Sequence, residues 1–252
     1  MKPEVKRVPA IDKCFAILDL LVRAKEPLGI SEISQQLNMN KSTVFSIVHT
    51  LVDLNVLETQ RSGKFLFGPR FYVLANVAGK RSALIRTVHP HLEHLSEQTG
   101  LSVFLGVRSD RRAILVDKVD SPLGIRVSSE IGFRMPTLAG AGIKAMLAQL
   151  PDEEVHKILA RSELRQYTPH SITNKARYEA EISEARLQGV AYDREEYLEG
   201  MKAVAVPVSA SAGSVQAAIW VVGLTPQLPD ESFPELTALL RRTAEEINSR
   251  QL

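Results

Sequence analysis

Apolar residues recur at helical spacing through most of the first hundred positions, and beyond residue 101 the period shortens toward two. Ile11, Phe15, Leu18 and Val22 share a face with Leu21 close by, predicting an amphipathic helix over residues 10–23 that ends before Pro27. Ile30, Ile33 and Leu37 predict a short second helix, with Ser31, Glu32 and Ser34 supplying capping oxygens and negative charge at its start. Asn38-Met39-Asn40 breaks the stripe. Val44, Ile47, Val48, Leu51 and Leu54 then form the buried face of a third helix. Residues 28–54 thus predict a helix-turn-helix. Its second helix turns Lys41, Ser42, Thr43, Phe45, Ser46 and His49 outward, with Ser31 and Asn40 beside them, groups suited to phosphates and base edges in a major groove. The competing reading is an ordinary helical hairpin in a core.

Val56, Leu57 and Thr59 predict one short strand and Phe65 with Phe67 another, joined by Arg61-Ser62-Gly63-Lys64. A ribbon directly after such a helix is a wing, and Arg61 and Lys64 at its tip are candidates for phosphate or minor-groove contact. Phe71, Leu74 and Val77 predict a linker helix over residues 69–82, with Lys80-Arg81 suiting the dipole at its end. Ile85, Val88, Leu92 and Leu95 predict a helix over residues 84–99 that stops at Gly100. Beyond it, residues 102–108 and 113–119 predict a hairpin around residues 109–112, and residues 124–128 a third strand. Helices are expected over 138–150, 152–160, 174–187 and 229–250, and strands over 190–192, 202–208 and 216–223. That mixture predicts an α+β domain.

A chain of 252 residues defaults to two domains. Its apolar share of 44% and charged share of 24% are those of globular proteins. No apolar run is long enough to span a bilayer, and Met1-Lys2-Pro3-Glu4 carries no apolar signal core, so a cytoplasmic location without membrane association is expected. The net charge of +2 is unevenly spread: residues 1–82 carry 12 Lys+Arg against 7 Asp+Glu, the remainder 19 against 22. A basic first third tethered to a mildly acidic remainder fits a DNA-contacting domain joined to something else. The single cysteine, Cys14, excludes an internal disulfide and a Cys-rich zinc site, and reads as core filler rather than nucleophile. His89, His91 and His94 raise a metal reading against a solvated helix surface; His91 and His94 share a face, His89 points elsewhere, and no local carboxylate or Cys completes a tetrahedron. No metal site or cofactor is expected. Nucleophile-elbow, phosphate-loop, zinc-protease and dinucleotide motifs are absent. Gly140-Ala141-Gly142 opens a helix with small side chains, either to receive an anion such as a carboxylate on backbone N–H groups or to allow close packing.

Short motifs in order along nearly the whole chain make it resemble the IclR family of transcriptional regulators. They are Ala16-Ile17-Leu18-Asp19-Leu20-Leu21, Lys41-Ser42-Thr43-Val44, Thr50-Leu51, Gly68-Pro69-Arg70-Phe71 with Leu74-Ala75, and Gly132-Phe133-Arg134-Met135-Pro136. Lys144-Ala145-Met146-Leu147-Ala148, Thr168-Pro169 with Ile172-Thr173, Tyr192-Asp193-Arg194-Glu195-Glu196 and Val206-Pro207-Val208 continue the series. The resemblance implies a winged helix-turn-helix (1–68), a linker helix (69–83) and a GAF-like effector-binding and oligomerisation domain (84–252). It also implies an effector pocket at Ala141, Gly142, Asp193, Ala203, Trp220 and Val222. The family commonly has Cys where this chain has Ala203 and Ser where it has Trp220 and Val222, so the pocket is more apolar here. A carboxylate with an aromatic or aliphatic body stacked on Trp220 is therefore expected, unless Trp220 fills the space and closes the pocket. His then Arg, frequent in the family, are here Phe45 and Ser46, which removes the strongest guanine contact and leaves Phe45 suited to a thymine methyl.

The expected protein is a homodimeric or homotetrameric regulator, repressor or activator, that binds double-stranded operator DNA and responds to a small organic acid. Two other classes compete: an enzyme that acquired a basic domain, and a winged helix that binds a partner protein. Turnover of a ligand would mark the first, and the absence of salt-dependent duplex binding the second.

Overall fold

The computed structural model describes residues 7–209 and 216–249, and the chain divides into two compact units between Arg81 and Ser82. Expectations at Met1–Glu4, at the side chains of Lys80 and Arg81, and at Arg250 lie outside the described residues.

In the N-terminal unit, α1 (Pro9–Arg23), α2 (Ile30–Leu37) and α3 (Lys41–Asp53) are followed by β1 (Leu57–Thr59), β2 (Phe65–Phe67) and α4 (Pro69–Arg81). Its core is Ile17, Leu18, Leu21, Ile33, Val44, Val48, Leu51, Leu57 and Phe65. Burying each such aliphatic side chain contributes about 1.5–3 kcal/mol, which holds three short helices that would not persist alone. The expected face of α1 is wrong: Ile11, Phe15 and Val22 are exposed, and Ile17 and Leu21 turn inward with Leu18. The helix carries two apolar stripes, and α2 and α3 cover only one.

Two local expectations also change. The N-cap of α2 is Gly29, whose amide donates to Glu32 Oε2 at 2.6 Å, so the caps are not Ser31 and Ser34. Ser34 Oγ instead donates to Met39 O, fastening the turn in which Asn38 adopts a left-handed φ of 48°. Leu54, expected in the core, lies past the end of α3 and is exposed.

The second unit opens with α5 (Ala83–Thr99) and builds one antiparallel sheet, order β4-β3-β7-β6-β5. The strands are β3 (Ser102–Ser109), β4 (Arg112–Val119), β5 (Ala191–Arg194), β6 (Met201–Ser209) and β7 (Gln216–Leu224). Alternation sorts the side chains cleanly. Val103, Leu105, Val204, Val206, Ile219 and Val221 pack with α5 and α9 (Phe233–Ser249) on one face. Phe104, Ala203, Ala205, Ala218, Trp220 and Val222 pack on the other with α6 (Ala141–Leu147), α7 (Asp152–Ala160) and α8 (Lys175–Gln188).

Residues 124–128 form no strand. The free edge of β4 is taken instead by residues 132–135, through Gly132 N to Leu115 O at 2.7 Å, Leu115 N to Phe133 O at 3.0 Å and Met135 N to Ala113 O at 2.9 Å. Segment 124–128 is held by side chains: Ser102 Oγ donates to Val127 O, and Gln227 Nε2 donates to Ile125 O. The helix expected over 138–150 is shorter, because Leu138 (φ 56°) and Gly140 (φ 86°) keep the backbone out of helical space until Ala141. Among the described residues no helix is long and apolar enough to cross a membrane.

Candidate DNA interface and effector pocket

On the helix-turn-helix, Ser31, Asn40, Lys41, Ser42, Phe45 and Ser46 are exposed, with Thr43 and His49 half-buried. The Phe45 ring lies 4.1 Å from the His49 ring, which in turn meets Phe65 of the wing edge-on at 6.0 Å. This aromatic chain braces the outer face of α3 against the wing. Ser46 Oγ donates to Ser42 O at 3.0 Å, so it faces outward as an acceptor. Arg61 is exposed at the wing tip, whereas Lys64 Nζ sits 3.4 Å from Glu32 Oε1. The Gly29 amide first, and Lys64 after it, hold the Glu32 carboxyl below its usual range. Of the two wing cations, only Arg61 has its charge uncommitted to a local acid in this way.

In the second unit Ala141, Gly142, Asp193, Ala203, Trp220 and Val222 all line one cavity of about 310 Å³ between the sheet and the start of α6. Trp220 does not close it. The indole stands edge-on to Phe104 at 5.9 Å and slots between two glycines. A Cβ at Gly106 would lie 2.6 Å from Trp220 Cη2, and one at Gly142 2.9 Å from Cε3. Only hydrogen at both positions lets the ring lie back against the wall and leave the space open.

Much of the remaining lining comes from loops. Val127, Ser128, Ser129 and Phe133 come from the loop after β4, and Tyr197 and Leu198 from the turn after β5. That turn is tied down on every side. Asp193 Oδ1 accepts from Glu196 N at 2.7 Å, Thr168 Oγ1 donates to Glu195 O, and Ser171 Oγ donates to Glu196 O. Lys144 Nζ, fully buried on α6, reaches Glu196 Oε1 at 2.6 Å and Oε2 at 2.9 Å, with Glu181 at 3.6 Å.

Burial first, and the Glu196 charge next, push the Asp193 carboxyl up from 3.8 to about 6, against the opposing pull of Lys144 and the Glu196 and Tyr197 amides. A carboxyl raised on folding favours the native state at low pH. Its contribution is full below the unfolded value and is lost as pH climbs through about 6. Asp193→Asn is expected to flatten this dependence and, above that pH, to exceed the wild type by up to roughly 3 kcal/mol. Melting curves from about pH 4 to about pH 8 decide it: parallel profiles for the two proteins would refute the assignment.

The three histidines on α5 have different surroundings and form no uniformly solvated face. His91 is buried, His94 exposed, and His89 Nδ1 lies 2.7 Å from Asp117 Oδ2. No metal-holding cluster of His, Cys, Asp or Glu occurs among the described residues. Cys14 packs half-buried beside the helix-turn-helix core, and burial raises its thiol pKa.

A wing-bearing helix-turn-helix joined to an α+β unit with a partly open, largely apolar pocket has the make-up of a one-chain DNA-binding regulator. Comparison with known proteins makes the class specific. Residues 10–61 match the IclR helix-turn-helix domain and residues 77–249 match the bacterial transcriptional regulator IclR C-terminal domain. The HTH-type transcriptional regulator KdgR of Escherichia coli is 31% identical over 244 residues, covering 96% of this chain and 92% of that protein. The IclR transcriptional regulator of Alicyclobacillus acidocaldarius superposes with a TM-score of 0.86 at 24% identity, over 98% of this chain and 100% of that one. An IclR homologue from Microbacterium hydrocarbonoxydans, crystallised with 4-hydroxybenzoate, gives 0.79 at 20% identity, over 95% and 98%. The chain belongs to the IclR family: it is a DNA-binding transcriptional regulator.

Proposed function

We propose that the protein binds a pseudo-palindromic operator as a homodimer or a dimer of dimers and responds to a small organic acid with an aromatic or apolar body. The observation that carries this reading is the single cavity in which the six resemblance-derived positions meet, open beside Trp220 and walled by Phe104, Leu115, Phe133 and Ile143. Its volume suits a ligand of one ring. The 4-hydroxybenzoate bound by the Microbacterium homologue is a ligand of that kind. Self-association is supported by apolar surface left uncovered within the N-terminal unit, Ile11, Phe15 and Val22 on α1 and Tyr72, Val73 and Leu74 on α4.

Operator contact falls to Ser31, Asn40, Lys41, Ser42, Thr43, Phe45, Ser46, His49 and Arg61, with a lesser part for Lys64 because Glu32 already holds it. Fluorescence anisotropy on the DNA beside its own gene, over a range of salt, tests the reading. Expected is a steep fall of affinity with salt and a preference of about 10³ or more over scrambled duplex. Arg61→Ala is expected to weaken all duplexes alike and to lower the salt slope by about one, and Lys64→Ala by less. Binding that is flat with salt would remove the operator role. The sensing role is tested by the same titration in the presence of aromatic and aliphatic carboxylates, and fails if none shifts the curve.

A further inference from the structure

We propose that the pocket receives its ligand's carboxylate as a carboxyl–carboxylate pair with Asp193, the two groups sharing one proton, so that a monocarboxylic acid enters together with a proton from solvent. This rests on the effector reading of the cavity. The geometry of Asp193 carries it. Oδ1 accepts from the Glu196 amide at 2.7 Å and the Tyr197 amide also hydrogen-bonds to the carboxyl, while Oδ2 lies on the side of Gly140, 3.7 Å from where a Cβ there would stand, where both residues line the cavity.

Among the described residues, no nearby cation is unclaimed for an incoming anion. Lys144 of α6 is held by Glu196 at 2.6 Å and approached by Glu181 of α8 at 3.6 Å. Lys202 of β6, which lines the cavity, is held by Asp230 at 2.7 Å. The other titratable groups facing Asp193 are Tyr178 of α8, whose hydroxyl burial keeps protonated, and Tyr197 of the following turn. The local charges are therefore two ammonium groups and four carboxyls before any ligand arrives. A further carboxylate beside an ionised Asp193 meets uncompensated repulsion at low dielectric. One proton on Asp193 turns that repulsion into an O–H···O⁻ hydrogen bond, the arrangement of paired carboxyls elsewhere. The raised proton affinity of Asp193 in the empty pocket means that this proton is held at little cost near neutrality, and a bound anion strengthens the hold. The apolar part of the wall receives the body of the acid, and the ammonium in the lining, Lys202, is already paired with Asp230.

Calorimetric titration of the full chain with benzoate, and with benzamide as its uncharged match, tests the pairing in two buffers of different ionisation enthalpy. For benzoate, uptake approaching one proton per site is expected above neutrality, and affinity should fall by about tenfold per pH unit there. Benzamide should bind with no proton uptake. Asp193→Asn replaces the shared proton with a permanent amide donor and keeps an acceptor for Glu196 N, so it should bind benzoate without uptake and with a flat pH profile. Benzoate binding without uptake in the wild type, or an unchanged pH profile in Asp193→Asn, overturns the pairing. Benzamide binding with no benzoate binding overturns it too and leaves the cavity reading standing. If neither probe binds to either protein, both readings fall together.

Discussion

Replacing Lys144 with methionine is expected to remove about 3–5 kcal/mol of stability from the second unit, although the two side chains are similar in length and volume. The ammonium is 1% exposed and lies within ion-pair range of Glu196 and Glu181. Methionine leaves those carboxyls, and Asp193 with them, facing one another without the buried ammonium that pairs with Glu196. The damage is not confined to stability. Glu196 sits in the turn whose next two residues, Tyr197 and Leu198, form part of the cavity wall, so that wall loosens when Lys144 is lost. Chemical denaturation at neutral pH measures the loss. A double change, Lys144→Met with Glu196→Leu, should recover part of it, since apolar replacement of a whole buried pair is often tolerated. If Lys144→Met costs less than about 1 kcal/mol, the pair behaves as an exposed one and its structural role is wrong.

Trp220→Ala is expected to cost about 3–5 kcal/mol by vacating a well-filled site. The informative experiment couples it to Gly142. Gly142→Ala in the wild type presses a methyl to 2.9 Å from the indole, which Gly106 blocks from retreating, and should cost about 1–3 kcal/mol. In the Trp220→Ala background the same change meets no indole, and the helix preference of alanine should make it stabilising by up to roughly 1 kcal/mol. The sign of the Gly142→Ala effect thus reverses between backgrounds. Equal effects in the two would show that the ring is free to move and that the slot is not built around it.

The helix-turn-helix and wing are legible from spacing because each helix has one run of apolar residues whose only partners are its sequence neighbours. α1 is the exception for a physical reason. Ile11, Phe15 and Val22 form as good a stripe as Ile17 and Leu21, and periodicity cannot tell which of two stripes meets α2 and α3. The sheet strands were equally visible, because opposite helical layers bury both faces and the run of Val, Ala and Ile along β6 and β7 has no other use. Residues 124–128 have strand-like content but lose the edge of β4 to residues 132–135, a competition between two backbones that no pattern records. The cavity residues on β5, β6, β7 and α6 were reached through the family resemblance and not through spacing. Ser128, Ser129, Tyr197 and Leu198 were reached by neither, since loops bring them in by hydrogen bonds formed only after folding. The Lys64–Glu32 contact was hidden for the same reason, joining residues 32 positions apart.

Trp220 is the only tryptophan in the chain. The residue that shapes the pocket is therefore also the sole indole fluorophore, held at van der Waals distance from the space a ligand would fill. Its emission carries no background from the DNA-reading half, so colour and lifetime changes report on that wall alone. The wild-type protein is in this sense a label-free gauge of its own occupancy, and the bound fraction can be followed optically while the operator is titrated in the same cuvette.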